Sequence, residues 1–263
     1  MKNLVRVLAI GDIVGYLGCK TIKENLKRIK FEKKIDFIIA NGENSAVGNG
    51  MTQKSVDFLL NAGINVLTGG NHTFKRREFF DYIDKSKKVI RPANYPDGTP
   101  GKGYAKFVVN GCNICVINLS GLTYLEPLSC PFVCIDDIIE KTEDCKIRIL
   151  DFHAEATSEK RAMGFYVDGR ISAIFGTHTH VQTSDEEILP KGTAYITDVG
   201  MTGKRHSVLG VRPEISIKRM KGKIPIRFEC DDFGSSKIEG VCFDVDESTG
   251  KSLGIERIRF IFE

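Results

Sequence analysis

Short β-branched runs recur along the first two thirds of the chain. Each is followed by a polar loop and then by apolar positions at helical spacing. Val5 to Ile10 reads as a first strand and Cys19–Lys30 as a helix. Phe37 to Ala40 is the next strand. Thr52 suits the N-cap of a helix that carries Val56, Leu59 and Leu60 and stops at Gly63. Ile64 to Leu67 is a third strand, with a helix around Lys75–Ile83 behind it. Continuous apolar strands alternating with helices argue for parallel strands covered on both faces.

The middle of the chain changes character. Ala105–Val109 and Cys112–Leu119 flank Asn110-Gly111, a two-residue hairpin signal. Strand–helix phrasing returns with Ile147–Leu150, a helix over about Ser158–Val167, and Ile171–Phe175. The last third reads as mostly strand: Thr193–Thr197, Glu214–Arg219, Pro225–Glu229, Gly240–Val245 and Glu256–Phe262. No linker or low-complexity segment divides the sequence, so residues 1–263 read as a single α/β domain. Its expected architecture is a mixed sheet, or a sandwich of two sheets, with helices outside.

Five of the strands end in chemistry. Gly11-Asp12, Asn41-Gly42-Glu43-Asn44, Gly69-Gly70-Asn71-His72, Asp151-Phe152-His153-Ala154-Glu155 and Gly176-Thr177-His178-Thr179-His180 follow them in turn. In parallel α/β sheets, ligands bind beyond the carboxyl ends of the strands. Of five histidines, four fall in these loops and only His206 lies elsewhere, a concentration that packing explains poorly. His178 and His180, two apart in an extended loop, point the same way and can reach adjacent ions. Nitrogen and oxygen donors without thiolate suit Mn, Fe or Zn. There are more donors than one ion needs, so the pattern argues for two. Two ions about 3.5–4 Å apart suit in-line displacement at phosphorus. Glu43 is then the natural bridging carboxylate. His72, beside Asn71, is placed to protonate a leaving oxygen.

Charge and cysteine content exclude several classes. The 38 Lys and Arg against 34 Asp and Glu leave a net charge of +4, and the short basic clusters are scattered, which is no nucleic-acid footprint. No apolar run approaches the roughly 20 residues of a membrane span. The start, MKNLVRVLAIGD, reaches Gly11-Asp12 too early for a cleaved signal peptide, so a cytoplasmic protein is expected. The eight cysteines lack matched metal-binding pairs: Cys112 and Cys115 fall on opposite faces of a strand, and Cys130 and Cys134 have no partner pair. All eight are expected to be reduced and mostly buried.

Gly11-Asp12, Gly70-Asn71-His72, His153 and Gly176-Thr177-His178-Thr179-His180 resemble the motifs of calcineurin-like metallophosphoesterases: D-x-H, G-D-x-x-D, G-N-H, H and G-H-x-H. Two departures narrow the match. Val14 stands where the first motif has its histidine, and Glu43 stands for the bridging Asp. With DFHAEATSEK and GTHTHVQTSD, these resemble the YmdB-like phosphodiesterases over nearly the whole chain. The resemblance implies a metallophosphoesterase-like β-sandwich of mixed sheets flanked by helices, with the active site at the C-terminal strand ends. It implies one ion held by Asp12, Glu43, Asn44 and His180 and another by Glu43, Asn71, His153 and His178. Glu43 would bridge, His72 would be the general acid, and Asn44 would compensate for the histidine missing at Val14. It further implies iron or manganese (zinc or magnesium being alternatives), a homo-oligomer, and hydrolysis of 2′,3′-cyclic nucleotides, with 3′,5′-cyclic nucleotides as weaker substrates.

Other readings remain open at this level. Glu155 either orients a ligand histidine or is an exposed carboxylate at a helix start. Asp151 either hydrogen-bonds a loop or touches metal, and Asp198 reads as a supporting or structural group. Gly42–Gly50 lacks the G-K-[ST] of a phosphate loop, and Gly11, Gly15 and Gly18 have the wrong spacing for a dinucleotide fingerprint. A phosphomonoesterase, a nuclease for short RNA, or a regulatory cyclic-nucleotide-binding protein with little turnover would use the same site. No membrane and no stable nucleic-acid partner is expected.

Overall fold

The computed structural model describes residues 4–263. Strand β1 (Leu4–Ile10) alternates its side chains between two cores. Val5, Val7 and Ala9 face a second sheet, whereas Leu8 and Ile10 face helices. A run buried on both faces needs no polar alternation, which is why it reads as continuously apolar.

After the two-residue β2 (Asp12–Ile13) come α1 (Gly15–Glu32), β3 (Phe37–Asn41), α2 (Gln53–Asn61) and β4 (Val66–Thr68). Thr52 caps α2 by accepting from the backbone N–H of Ser55 at 3.2 Å. β1, β3 and β4 run parallel. A short helix, α3 (Phe80–Lys85), leads into the hairpin β5 (Tyr104–Val109) and β6 (Cys112–Ser120), which turns at Asn110-Gly111 with both residues at positive φ. Then follow α4 (Pro131–Lys141), β7 (Ile147–His153), α5 (Thr157–Val167), β8 (Ala173–Thr177), β9 (Glu187–Ile188), β10 (Ala194–Ile196), β11 (Met201–Lys204), α6 (Pro213–Gly222), β12 (Ser236–Asp246) and β13 (Ser252–Phe262).

The strands form two mixed sheets. One has the order β2-β11-β12-β1-β3-β4 with β13 on the other side of β12; the second has the order β5-β6-β7-β8-β10-β9. The strands β6, β7, β8 and β10 are mutually parallel, with antiparallel β5 and β9 at the edges. Phe37, Val66, Ile114, Ile149, Phe175 and Phe243 fill the space between the sheets. Ile22, Leu26, Val56 and Leu59 pack helices on the outer face of the first sheet, and Ile135, Ile138, Met163 and Val167 do so on the second. The order helix, sheet, sheet, helix is the expected α/β sandwich of mixed sheets.

Two expectations change, and one helix is added. Glu214–Arg219 lies in helix α6, because Pro213 starts it at the first helical position and the charged side chains face solvent. Pro225–Glu229 forms no strand. Pro131–Lys141 is a helix that the strand–helix phrasing passed over, although Ile135 and Ile138 mark its buried face and Pro131 its start. All eight cysteines are free, as expected. Cys19, Cys115, Cys145 and Cys242 are buried, but Cys130 and Cys230 are exposed. No helix of the described residues is long and apolar enough to cross a membrane.

Candidate active site

The parallel strands of the two sheets end at one edge of the sandwich. β1 is followed by Asp12, β3 by Glu43, and β4 by Asn71 and His72; His153 is the last residue of β7, and His178 and His180 follow β8. With Asn44, which follows Glu43, the seven side chains expected to bind metal and the expected acid His72 all lie at this edge.

Two groups share Glu43. In the first, His153 Nε2 is 3.0 Å from Asn71 Oδ1, 3.1 Å from His178 Nδ1 and 3.3 Å from Glu43 Oε1. In the second, Asn44 Nδ2 is 3.1 Å from Glu43 Oε1 and 3.4 Å from His180 Nε2, which lies 3.4 Å from Asp12 Oδ1. Asp12 is oriented by the His178 backbone N–H, which donates to its Oδ2 at 3.1 Å. Its Oδ1 is buried and has no hydrogen-bond partner among the described residues. An orphaned carboxylate oxygen costs free energy when dry, and its near neighbour is the His180 imidazole nitrogen. The donor set is carboxylate, amide and imidazole without thiolate, which suits Mn, Fe or Zn. The residues therefore fit metal ions. Asn44 is the exception in detail: its carbonyl oxygen faces His72 Nδ1 at 3.0 Å, so it becomes a ligand only when its amide turns over.

Charge follows the same division. Burial opposes ionisation of Glu43, but His153 and then His72 hold its carboxyl well below the usual range. Burial also works against a charged His153, yet the charge of Glu43 outweighs it and raises the imidazole to about 9. Burial, reinforced by His153, lowers His178 to about 4. Asp12 lies below its ordinary value because His180 beside it overcomes burial. Asp151 is pushed up to about 7 by burial, against the pull of His153.

The loop after β8 is strained, with His178 at φ 93° and His180 at φ 61°. Thr179 between them is tied down: its N–H and hydroxyl donate to Asp198 Oδ2 at 3.2 and 2.6 Å. Lys160 Nζ donates to the same oxygen at 3.0 Å, and both members of this pair are buried. Sequence reasoning left Asp198 outside the site and passed over Lys160. The available signal was a lysine at an inward helical position, three, four and seven residues before buried Met163, Gly164 and Val167.

Glycine supplies the space that the centre needs. A Cβ on Gly70 would lie 2.3 Å from His153 Nε2 and 2.4 Å from Glu43 Oε2. Gly70 has no positive φ, so clearance and not backbone freedom explains it.

The pattern that defines the YmdB-like protein family matches residues 8–258 of this chain. The chain belongs to the YmdB-like family. It is 49% identical over 255 residues to the 2′,3′-cyclic-nucleotide 2′-phosphodiesterase of Bacillus subtilis (strain 168), covering 97% of this chain and 96% of that protein. The crystal structure of a phosphatase from Mycoplasma pneumoniae superposes with a TM-score of 0.94 at 38% identity, covering 99% of this chain and 95% of that one. A 5′-nucleotidase precursor from Thermus thermophilus shares the fold over 99% of this chain and 55% of its own, with a TM-score of 0.57 at 12% identity.

In this YmdB-like chain, His72 stands at the boundary between the centre and a cavity. Its backbone N–H donates to Glu43 Oε2 at 2.8 Å, and its side chain is 27% exposed. The cavity, about 1240 Å³, is bordered by His72, Tyr16, Arg76, Arg219, Arg227 and Phe228 among others. Glu155, left undecided from the sequence, approaches His178 Nε2 at 2.9 Å. Asp151 lies behind the centre, bonded to Thr177 and Asn41. His206 is exposed.

Proposed function

We propose that this protein is a dinuclear metal-dependent phosphodiesterase that hydrolyses cyclic nucleotides, the 2′,3′-cyclic class preferred over the 3′,5′-cyclic. The observation that carries the reading is the double group around Glu43, with the His72 ring at the cavity edge. The name of the Bacillus subtilis relative supports the substrate class.

One ion would be held by Asp12, Glu43, Asn44 and His180, and the other by Glu43, Asn71, His153 and His178. When bound, the ions supply the acidity that makes a water nucleophilic at neutral pH, and positive charge for the phosphoryl oxygens. The protein's own groups do the rest. Burial of Glu43 and Asp12 keeps the carboxylates dry, so they act on charge at short range with little screening. With the Asn44 amide turned to give its oxygen to the ion, its Nδ2 would donate to His72 Nδ1, and the ring's one hydrogen would sit on Nε2. As the P–O2′ ester opens, the water's hydroxyl adds to phosphorus and its other proton passes to solvent. The departing 2′-oxygen takes the proton from His72 Nε2, and the product is a 3′-phosphate. The reading includes iron or manganese as resident ions, a homo-oligomer and a cytoplasmic location.

The test is metal analysis and 2′,3′-cAMP hydrolysis on the same sample, with His72→Gln beside the wild type. About two ions per chain, and a His72→Gln variant that keeps them but loses about 10²- to 10⁴-fold in turnover, is the expected result. A metal-free chain after reconstitution refutes the centre, and wild-type turnover in the variant refutes the acid. The size of the cavity favours a second reading, since ligand pockets usually span about 300–1,000 Å³. Arg219 stacks on Phe228 at 4.3 Å on its wall, a pairing that also suits the end of a short RNA. Rates on cyclic mononucleotide, mononucleotide and oligonucleotide separate the readings.

A further inference from the structure

Each histidine of the centre has a second ring nitrogen, and a bound metal needs the lone pair on the inner one. The partner of the outer nitrogen therefore decides whether the ring is ready. For His153 that partner is the Thr177 hydroxyl, 2.9 Å from Nδ1. The same hydroxyl lies 2.7 Å from Asp151 Oδ1. All three residues are buried, so no solvent competes for these contacts.

A hydroxyl has one hydrogen to give. The other oxygen of Asp151 already faces donors, the Asn41 amide at 3.1 Å and the Thr68 hydroxyl. Once ionised, the Asp151 carboxylate accepts only, so the Thr177 hydrogen points to it. The hydroxyl oxygen is then left as the acceptor for a hydrogen on His153 Nδ1. A neutral imidazole with its hydrogen on Nδ1 carries its lone pair on Nε2, the atom facing Asn71, His178 and Glu43. We propose that Asp151 and Thr177 form a buried relay that holds His153 in the Nδ1–H tautomer, with Nε2 open to a metal ion. Thr177 and Asp151 are positioning residues and touch neither substrate nor metal. His178 and His180 lack this device: their outer nitrogens face exposed Glu155 at 2.9 Å and the backbone carbonyl of Leu209 at 3.3 Å.

The inference rests on the metal-binding reading above. Its test is Co²⁺ titration of the metal-free protein, followed by visible absorption and by chelator competition, for the wild type, Thr177→Val and Thr177→Ser. Valine keeps the shape and removes the hydroxyl; serine keeps the hydroxyl and removes the methyl. The expected result is a loss of about 10- to 100-fold in Co²⁺ affinity for Thr177→Val with an altered d–d spectrum, and near wild-type behaviour for Thr177→Ser. Equal affinity and spectrum for Thr177→Val overturn the relay. Equal losses in both variants also overturn it, because they trace the effect to packing. Melting of the metal-free proteins checks that each variant is folded, and Asp151→Asn is a further probe if it folds. A wild type that binds no Co²⁺ refutes the metal centre itself, an outcome distinct from failure of the relay.

Discussion

Replacing Gly70 by alanine puts one methyl group where the centre has no room. The new carbon would lie 2.3 Å from His153 Nε2 and 2.4 Å from both Glu43 Oε2 and His153 Cδ2. A non-bonded contact to carbon is comfortable at about 3.5 Å, so these groups must retreat by about 1 Å. Neither has an easy way back, since His153 and Glu43 are fully buried. Overpacking of this kind costs about 1–3 kcal/mol of stability, which a protein of this size survives. Function suffers more, because a misplacement of about 1 Å at reacting groups costs about 10²-fold in rate. The assay is metal stoichiometry and 2′,3′-cAMP turnover, with Gly222→Ala as control. Gly222 is helical and its nearest neighbour would be 3.4 Å away, so alanine there should be neutral or slightly stabilising. A Gly70→Ala variant that holds its metals and turns over at the wild-type rate refutes the steric argument.

Three more outcomes follow from the geometry. Lys160→Met strands Asp198 as a buried carboxylate without its cation. It should cost about 3–5 kcal/mol, read as a fall on the order of 10 °C in melting temperature, and an unchanged melt would show that the pair is not structural. The raised value of His153 makes a pH signature: in the metal-free protein its stabilisation is complete below the ordinary histidine value of about 6.5 and is lost as pH rises through about 9. Denaturant titrations with chelator at pH 6.5, 8 and 9.5 check this, and a flat profile refutes it. The same proton must leave before Nε2 binds metal, so affinity should rise about tenfold per pH unit up to about 9, measured by chelator competition, with a pH-independent constant as the contrary result.

Much of this centre was legible because each strand brings its own signal. An apolar run ending in Asp, Asn or His is visible without knowing which strands are neighbours, and parallel strands put their ends together whatever their order. Asp12, Glu43, Asn71, His153, His178 and His180 read as candidates in that way, and the structure brings them to one edge. Lys160 and Asp198 were not, because their meaning depends on α5 packing beneath the end of β8, a relation between distant elements. Thr177 was hidden differently: inside a His-rich loop a threonine reads as spacing, and only the distances to Asp151 and His153 give it a role. Glu214–Arg219 misled by its alternation of Ile215 and Ile217 with polar residues. On an exposed helix with only Ser216 buried, that alternation carries no information about a sheet face.

The pairing of β1 has a consequence for biosynthesis. Ile10, just ahead of Asp12, lies beside Ala40 on one side and Gly240 on the other. On the ribosome, the first of these neighbours emerges soon after Ile10, and the second follows only after the long stretch of chain between Ala40 and Gly240. Until β12 arrives, β1 has one open edge at the centre of its sheet, a template for wrong strand pairing. Contacts so distant along the chain form slowly. Asp12 therefore reaches its final setting only after Ser236–Asp246 has been made, and a chain stalled before Ser236 would be a target for chaperones and proteases.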